Sequence, residues 1–265
     1  MARHLPAAAR RLANFTAAFA LAALAACATP PKDPAALKEF EATNDPLEPM
    51  NRDIFTFNLY LDRYFIKPVA IGYTKVVPQF ARDTISNFLH NLGEPVIFAN
   101  DMMQAEWQAA NLTAARFLIN STFGIGGLID VASNTGVERQ TGDFGQTLYA
   151  WGAPEGPYLV LPVFGPSNPR DAIGMGVDGV MDPYGWWVSG IYGQGAANAE
   201  TYGRLTASGI DLRSRNIDTL DDLQRNAIDF YAEMRSLYRQ HRAEELRHGR
   251  PGPMPNFNLE SSTSP

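Results

Sequence analysis

The chain has 265 residues, of which 45% are hydrophobic and only 19% are charged, so it carries fewer ionised side chains than an average globular protein. The formal net charge is −6, and the 22 basic residues are spread along the sequence without clusters. A nucleic-acid-binding protein needs a basic patch, so this composition argues against nucleic acid as a partner. The length suffices for one large domain or two smaller ones with a core.

The first 26 residues have the pattern of an export signal, and the one cysteine of the chain follows them. Arg3, Arg10 and Arg11 form a basic start, and the apolar stretch 12–26 is too short to be a stable membrane span. Residues 24–27 read Leu-Ala-Ala-Cys, which resembles a bacterial lipobox. Because Cys27 has no second cysteine with which to form an internal disulfide, we predict that it is the acylated first residue of a lipoprotein. The residue after Cys27 is alanine and not the aspartate associated with retention in the inner membrane, which favours the outer membrane as the location of the lipoprotein.

The mature chain is predicted to begin with a tether and to continue as a helical domain. Three prolines in residues 28–44 indicate a tether without a folded element. The sequence Asp45-Pro46-Leu47-Glu48 predicts a helix start, with Asp45 as the cap and Pro46 at the first helical position. The predicted boundaries are 1–26 for the signal, 27–44 for the acylated cysteine and tether, 45–248 for the domain, and 249–265 for a disordered tail.

Helical patterns follow from residue 51 to residue 119. Residues 51–66 carry apolar side chains on nearly every face, which fits either a central core helix or a helix lying in one membrane leaflet. Pro68 and Pro78 are expected to bracket a short segment. Residues 80–92 predict an amphipathic helix that Gly93 and Pro95 should stop, and residues 96–103 and 107–119 continue the pattern.

The last of these helices runs into Gly124, Gly126 and Gly127, which alternate with apolar side chains. Each glycine costs about 1 kcal/mol in a helix interior relative to alanine, so the helix should end here. Residues without a Cβ suit a tight turn between buried helices, or a place where another helix or an acyl chain approaches the backbone. The sequence leaves both interpretations open.

Between residues 124 and 203 the sequence changes character, with 17 of the 22 glycines, ten charged side chains and no lysine. Prolines interrupt short strand-like patterns such as residues 158–163, so a Gly/Pro-rich irregular segment is predicted. Aromatic residues of the kind enriched at membrane–water boundaries are scattered through it, namely Trp151, Tyr184, Trp186, Trp187 and Tyr192. In a chain with a lipid anchor they favour membrane contact.

Residues 217–246 are predicted to form one long helix whose apolar stripe docks on the rest of the fold or on another protein.

No catalytic motif stands out in the sequence. Residues 174–179 match GxGxxG, the pattern of a dinucleotide-binding turn. That turn must follow a strand, whereas prolines precede it here, and Asp178 would repel a phosphate. His241 and His248 are far from any serine motif. We therefore predict a protein that is not an enzyme and has no cofactor and no metal site.

Several blocks of the sequence, taken together, resemble the MlaA (VacJ) lipoproteins of Gram-negative outer membranes. The blocks are Asp45-Pro-Leu-Glu-Pro-Met-Asn-Arg52 with Phe57-Asn58, residues 117–132, Phe144-Gly-Gln-Thr-Leu148, and Gly156 to Pro162 with Gly165 and Arg170-Asp171. The resemblance covers about residues 45–240. Tyr149 stands where this family is expected to have a smaller residue.

The resemblance implies a mainly α-helical ring in the inner leaflet of the outer membrane, around a central amphipathic channel. It implies that the protein removes mislocalised phospholipids from the outer leaflet, passes them toward the inner membrane and so maintains lipid asymmetry. The implied protein partners are a trimeric porin and a soluble periplasmic lipid carrier.

We predict that two segments border the lipid path and that the glycine-rich residues 144–158 gate it. The candidate path residues are Phe57, Asn58, Phe123, Gly124, Ile125, Gly126, Gly127, Tyr149 and Tyr158. The alternative is a structural lipoprotein that braces a porin without a lipid path, which the low charge disfavours. A membrane-bound lipid hydrolase would need a nucleophile and a base that the sequence does not show.

Overall fold

The computed structural model describes residues 31–34, 37 and 43–247. This part of the chain is mainly α-helical, as predicted, with one antiparallel pair of short strands. Cys27, the signal, most of the tether and the tail lie outside the described residues. The elements are α1 Glu48–Leu61, a π-helical turn Asp62–Ile66, α2 Lys67–Val76, α3 Gln79–Met103, α4 Trp107–Thr122, α5 Val131–Asn134, α6 Phe144–Ala150, β1 Leu159–Leu161, β2 Gly165–Ser167, α7 Pro169–Met181, α8 Pro183–Tyr192, α9 Gln194–Arg215, α10 Ile217–Asn226 and α11 Phe230–Glu245.

The first helix begins at Glu48, and Asp45 does not cap it. The Asp45 side chain is buried, where it accepts hydrogen bonds from the Asn51 amide at 2.8 Å and from the Tyr231 hydroxyl. It also pairs with Arg235 at 2.6 Å. The predicted cap was wrong because this carboxylate joins the start of α1 to α11, the last helix. The proline after it also precedes the helix.

The short segment expected between Pro68 and Pro78 is the ten-residue helix α2, whereas the stop expected at Gly93 and Pro95 lies within a helix. Pro68 is in the first turn of α2, which follows α1 through the π-helical turn without a break. Gly93 and Pro95 lie inside α3, a helix of 25 residues. A proline inside a helix costs about 3 kcal/mol. The extensive packing of α3 against α4 outweighs this local penalty, so the predicted stop at Gly93 and Pro95 was wrong.

The Gly/Pro-rich irregular segment is shorter than predicted, because α7, α8 and α9 are helical from residue 169 onward. Gly174 shows one reason for the glycines. A Cβ on Gly174 would lie 2.4 Å from the backbone nitrogen of Gly145, so glycine lets α7 approach α6 closely. The predicted single helix at 217–246 is two helices, since Asp229 caps α11 by accepting the N–H groups of Tyr231 and Ala232.

Polar and apolar side chains are distributed in the reverse of the pattern found in water-soluble proteins. Among the described residues, 21 polar or charged residues are buried against eight hydrophobic ones, and 33 large hydrophobic side chains are exposed. On α4, for example, Arg116 and Asn120 are buried whereas Leu118 is 61% exposed. A small apolar core contains Phe55 and Tyr231. Within the described ranges, no helix has the length and apolar character needed to cross a bilayer.

Candidate functional site: an open cavity

An open cavity of about 570 Å³ lies between three helices and the β-hairpin, and its walls are mostly apolar. Each helix turns one face toward it, with residues spaced three or four positions apart. The wall contains Leu89, Leu92, Gly93 and Val96 of α3, Ala172, Met175, Gly176, Asp178 and Gly179 of α7, Thr201, Arg204, Leu205 and Ser208 of α9, and Leu161, Phe164 and Asp182.

Three glycines of this wall have free space in front of them. A Cβ built on Gly93, Gly176 or Gly179 would meet no heavy atom within 4 Å among the residues compared. Each lies in a helix, where glycine is less favourable than alanine by about 1 kcal/mol. Because no close backbone contact requires them, their effect is to leave the cavity wide.

Charged groups of both signs lie on one side of the cavity. Arg204 pairs with Asp182, whose carboxylate also caps α8. Asp178 accepts hydrogen bonds from the Asn100 amide at 2.8 Å and from the Phe144 N–H at 3.1 Å, while burial raises its pKa above the ordinary value. Apolar walls with a charged edge suit an amphipathic molecule.

The three-glycine stretch forms a tight turn after α4, and a second helix, α3, comes close to its backbone at Gly127. Ile125, Gly126 and Gly127 have positive φ angles of 54°, 69° and 93°. A Cβ on Gly124 would lie 2.2 Å from a backbone carbonyl oxygen, and one on Gly127 would lie 2.5 Å from the Asn91 side chain. Among the described residues that line the cavity, none comes from this turn.

A buried ionic network supports the turn from the protein interior. Arg116, with a side chain only 2% exposed, bonds both oxygens of Asp130 at 3.0 Å and contacts Glu94 at 3.3 Å. Burial alone would raise the pKa of Asp130, but hydrogen bonds from Arg139, Ser133 and Arg116 outweigh it and lower the pKa. These buried ion pairs and hydrogen bonds therefore hold the turn in position.

The remaining candidate path residues fall into two groups. Phe57, Phe123, Ile125 and Tyr149 are exposed, and of the described cavity-wall residues none belongs to this group. Asn58 binds the β-hairpin through its amide. Tyr158 is 3% exposed and belongs to the apolar core, so the structure does not place it beside an open path.

The proposed gate at residues 144–158 is also separate from the cavity wall. Its first half forms α6, and no residue of it is among the described wall residues. The Tyr149 ring instead lies under the guanidinium of Arg170 at 5.3 Å. This contact fixes the end of α6 to the first turn of α7.

The chain is similar to known proteins over most of its length. The model of the MlaA lipoprotein family matches residues 43–245. The chain belongs to the MlaA lipoprotein family. Two similar relatives carry the name intermembrane phospholipid transport system lipoprotein MlaA. The one from Haemophilus influenzae is 34% identical over 218 residues, which is 80% of this chain and 83% of the relative. The one from Escherichia coli K12 is 33% identical over 227 residues, which is 83% of this chain and 86% of the relative.

A solved structure from work on the structural basis for maintenance of bacterial outer membrane lipid asymmetry has the same fold. It superposes with a TM-score of 0.65 at 35% sequence identity, covering 76% of this chain and 98% of that chain. The recognition of the MlaA family from sequence blocks and the prediction of a mainly α fold are both confirmed.

Sequence reasoning missed the cavity wall of this MlaA-family chain. Gly93 was interpreted as a helix stop, and Gly176 and Gly179 as part of an irregular segment or a failed nucleotide motif. A usable signal was present, because small residues recur at spacings of three and four in 172–179 beside apolar ones. Small residues on one face of a helix indicate that the face meets either a close neighbour or an opening.

Proposed function

We propose that this chain removes mislocalised phospholipids from the outer leaflet of the outer membrane and passes them toward the inner membrane. Relatives that match most of the chain are named for intermembrane phospholipid transport, and the matching structure concerns lipid asymmetry. The observation that carries the proposal is the open cavity with apolar walls and a charged edge. Acyl chains would contact the walls of α3, α7 and α9, while the headgroup would remain near Arg204 and Asp182.

The inverted distribution of side chains supports a position within the membrane. Exposed apolar side chains on α1, α3, α4 and α8 are favourable against lipid and unfavourable against water. Trp186 and Trp187 on α8 are 64% and 62% exposed, as expected for residues at a membrane boundary. We propose a ring of amphipathic and apolar helices lying in the inner leaflet, at the periplasmic face, with acylated Cys27 as a second attachment.

The proposal includes two protein partners that follow from the family resemblance. A trimeric porin would lie beside the chain in the outer membrane, and a soluble periplasmic carrier would receive the lipid.

Transport of an intact lipid breaks no covalent bond, so the proposal assigns no catalytic step to the chain. A bracing lipoprotein, the competing function, gives no reason for an open cavity with mostly apolar walls.

Filling the cavity tests the proposal. Gly176→Leu adds a side chain to the cavity wall at a position where a Cβ would meet no heavy atom within 4 Å among the residues compared. In a strain that lacks the chromosomal gene, this variant should leave as much phospholipid in the outer leaflet as an empty vector does. Its amount and thermal stability should equal or exceed those of the wild type, because leucine favours a helix over glycine by roughly 1 kcal/mol.

Gly72→Leu provides the matched control. Gly72 lies in α2, also faces free space and does not belong to the described cavity wall. This variant should clear the outer leaflet as the wild type does. Normal clearance by a folded Gly176→Leu protein would show that lipid does not use this cavity.

A further inference from the structure

The charged side chains at the edge of the cavity do not balance. Of the described wall residues, Asp178 and Asp182 are acidic and only Arg204 is basic. Arg204 pairs with Asp182, and its Nε lies 3.6 Å from a carboxylate oxygen of Glu200, one turn earlier on α9. Two acids therefore share one guanidinium, and Asp178 is left over. Within the described chain, the edge of the cavity carries an excess of negative charge.

Asp178 is the acid that no ion pair neutralises. Its hydrogen-bond donors are neutral, namely the Asn100 amide at 2.8 Å and the Phe144 N–H at 3.1 Å. Arg242 acts on it only from a distance, without an ion pair. Burial disfavours the charged form and raises the pKa of Asp178. A positive group inside the cavity would stabilise the ionised carboxylate, whereas a second negative group would repel it.

The apolar walls of the cavity strengthen the effect of this charge. Leu89, Leu92 and Val96 line the α3 side, and Leu161 and Phe164 of the hairpin segment line another. Hydrocarbon side chains do not reorient around a charge as water does, and a concave surface concentrates the field. At an effective dielectric constant of about 20, two unit charges about 10 Å apart change a binding constant by roughly tenfold. One unbalanced carboxylate is therefore enough to discriminate between headgroups.

Phospholipid headgroups differ in the charge that they would bring to this edge. All of them carry a phosphate, and Nη1 of Arg204 has no hydrogen-bond partner among the described residues. A glycerol headgroup adds no further charge, so the lipid is anionic. An ethanolamine headgroup adds an ammonium, so the lipid is neutral overall and brings a cation toward the excess carboxylate. The charge of the edge is therefore complementary to a zwitterion.

We propose that Asp178 makes the cavity selective for zwitterionic phospholipids, such as phosphatidylethanolamine, over anionic ones. This inference rests on the proposed function, because headgroups are selected here only if lipid enters the cavity. Asp178 acts through its electric field on any headgroup at the edge, and no direct contact is required. Glu200 adds to the selectivity, because it offsets part of the positive charge of Arg204.

A competition between two headgroups tests the selectivity. The full chain in a non-ionic detergent is incubated with mixed micelles that contain equal amounts of phosphatidylethanolamine and phosphatidylglycerol with identical acyl chains. The chain is repurified, and both bound lipids are measured by mass spectrometry. Gly176→Leu, which fills the cavity, reports the lipid that adheres to the exposed apolar surface. In the lipid that the wild type binds beyond this amount, phosphatidylethanolamine should exceed phosphatidylglycerol by roughly tenfold.

Three neutralised variants identify the charge that selects. Asp178→Asn keeps an oxygen that can accept a hydrogen bond and should lower the ratio to between about one and three. Glu200→Gln should lower it by about twofold. Because the Glu200 side chain is 24% exposed, this variant is expected to fold whether or not Asp178→Asn does. Asp222→Asn also removes one acid, but from the exposed surface of α10 outside the described wall, and should leave the ratio unchanged.

Phosphatidylcholine separates charge from headgroup size. It carries the same charges as phosphatidylethanolamine with three methyl groups on the nitrogen, and it should likewise be preferred over phosphatidylglycerol. If phosphatidylcholine binds no better than phosphatidylglycerol, or if the wild type and Asp178→Asn give the same ratio, the selectivity is overturned while transport through the cavity stands. If Gly176→Leu binds as much lipid as the wild type, the proposed function fails, and this inference fails with it.

Discussion

Two carboxylates of this chain, one fully buried and one half-buried, differ in their partners. Asp130 has two arginines, whereas Asp101, which is fully buried, accepts one hydrogen bond, from the Thr113 hydroxyl at 2.8 Å. The other oxygen of Asp101 has no partner among the described residues. Burial therefore raises the pKa of Asp101 to about 6.

This shift predicts a pH dependence of stability. Between about pH 4 and pH 6 the folded chain keeps the proton on Asp101 while the unfolded chain releases it, so the free energy of unfolding should fall by roughly 1–3 kcal/mol as pH rises. Asp101→Asn should reduce this slope and be more stable than the wild type at pH 7. Denaturant titrations in detergent at pH 4, 5, 6 and 7 measure the difference.

Asp130→Asn is the contrasting variant. The pKa of Asp130 is lowered, so its contribution to stability is present above about pH 4 and is lost as pH falls. This variant should lose stability at neutral pH. An unchanged slope in Asp101→Asn, or a gain in stability from Asp130→Asn, would contradict the assignment of these groups.

At the scale of elements, α1 organises the hairpin through side chains, and the two asparagines should differ in what they contribute. Asn51→Ala leaves the Val160 N–H, the Tyr158 carbonyl and the Asp45 carboxylate each with one bond fewer in the interior. We expect a loss of about 2–4 kcal/mol in the free energy of unfolding. Asn58→Ala, at the exposed end, should cost about 1 kcal/mol. Denaturant midpoints measured side by side test this, and equal losses would show that the two contacts are equivalent.

Regular apolar spacing was enough to predict α3 and α4, but local stop signals were not enough to predict where helices end. Pro95 and Gly93 are stop signals in isolation, yet α3 continues through them because α4 packs along it. Conversely, the long pattern at 217–246 is broken at Asp229, whose side chain caps a new helix. Tertiary contacts and single capping residues decide where these helices end, and neither can be read from the spacing of apolar residues.

The candidate site was harder to predict than the elements. Periodicity identified an apolar stripe on α4 but not which face is inside, and in the structure Arg116 is buried while Leu118 is exposed. A glycine next to free space and a glycine under a close contact look identical in sequence. Gly176 is the first kind and Gly174 the second, although they are two residues apart on α7.

For the whole molecule, the exposed apolar surface should hold the chain in a membrane without its acyl anchor. A version that begins at residue 28, exported by the signal of a soluble protein, should remain with the membrane fraction after a high-salt wash. Salt weakens attraction between charges but not the burial of apolar surface. The measurement is the share of the protein in the washed membrane pellet.

The matched variant changes two exposed aromatic residues of the same anchor-free chain. Trp186→Glu with Trp187→Glu places two charges on α8, which has no buried residue among those described. This double variant should shift protein from the pellet to the soluble fraction while the helix content stays constant. Release of the unmodified anchor-free chain by salt would show that the acyl groups alone attach it.

The open face of the cavity has an evolutionary consequence. At Gly93, Gly176 and Gly179, an added Cβ meets no heavy atom within 4 Å, so a mutation to alanine makes the helix more stable. Random mutation therefore tends to narrow the opening of the cavity, because such substitutions do not impair folding. These three positions are kept small only as long as passage of cargo is under selection, so their composition in related genomes records whether that passage still matters.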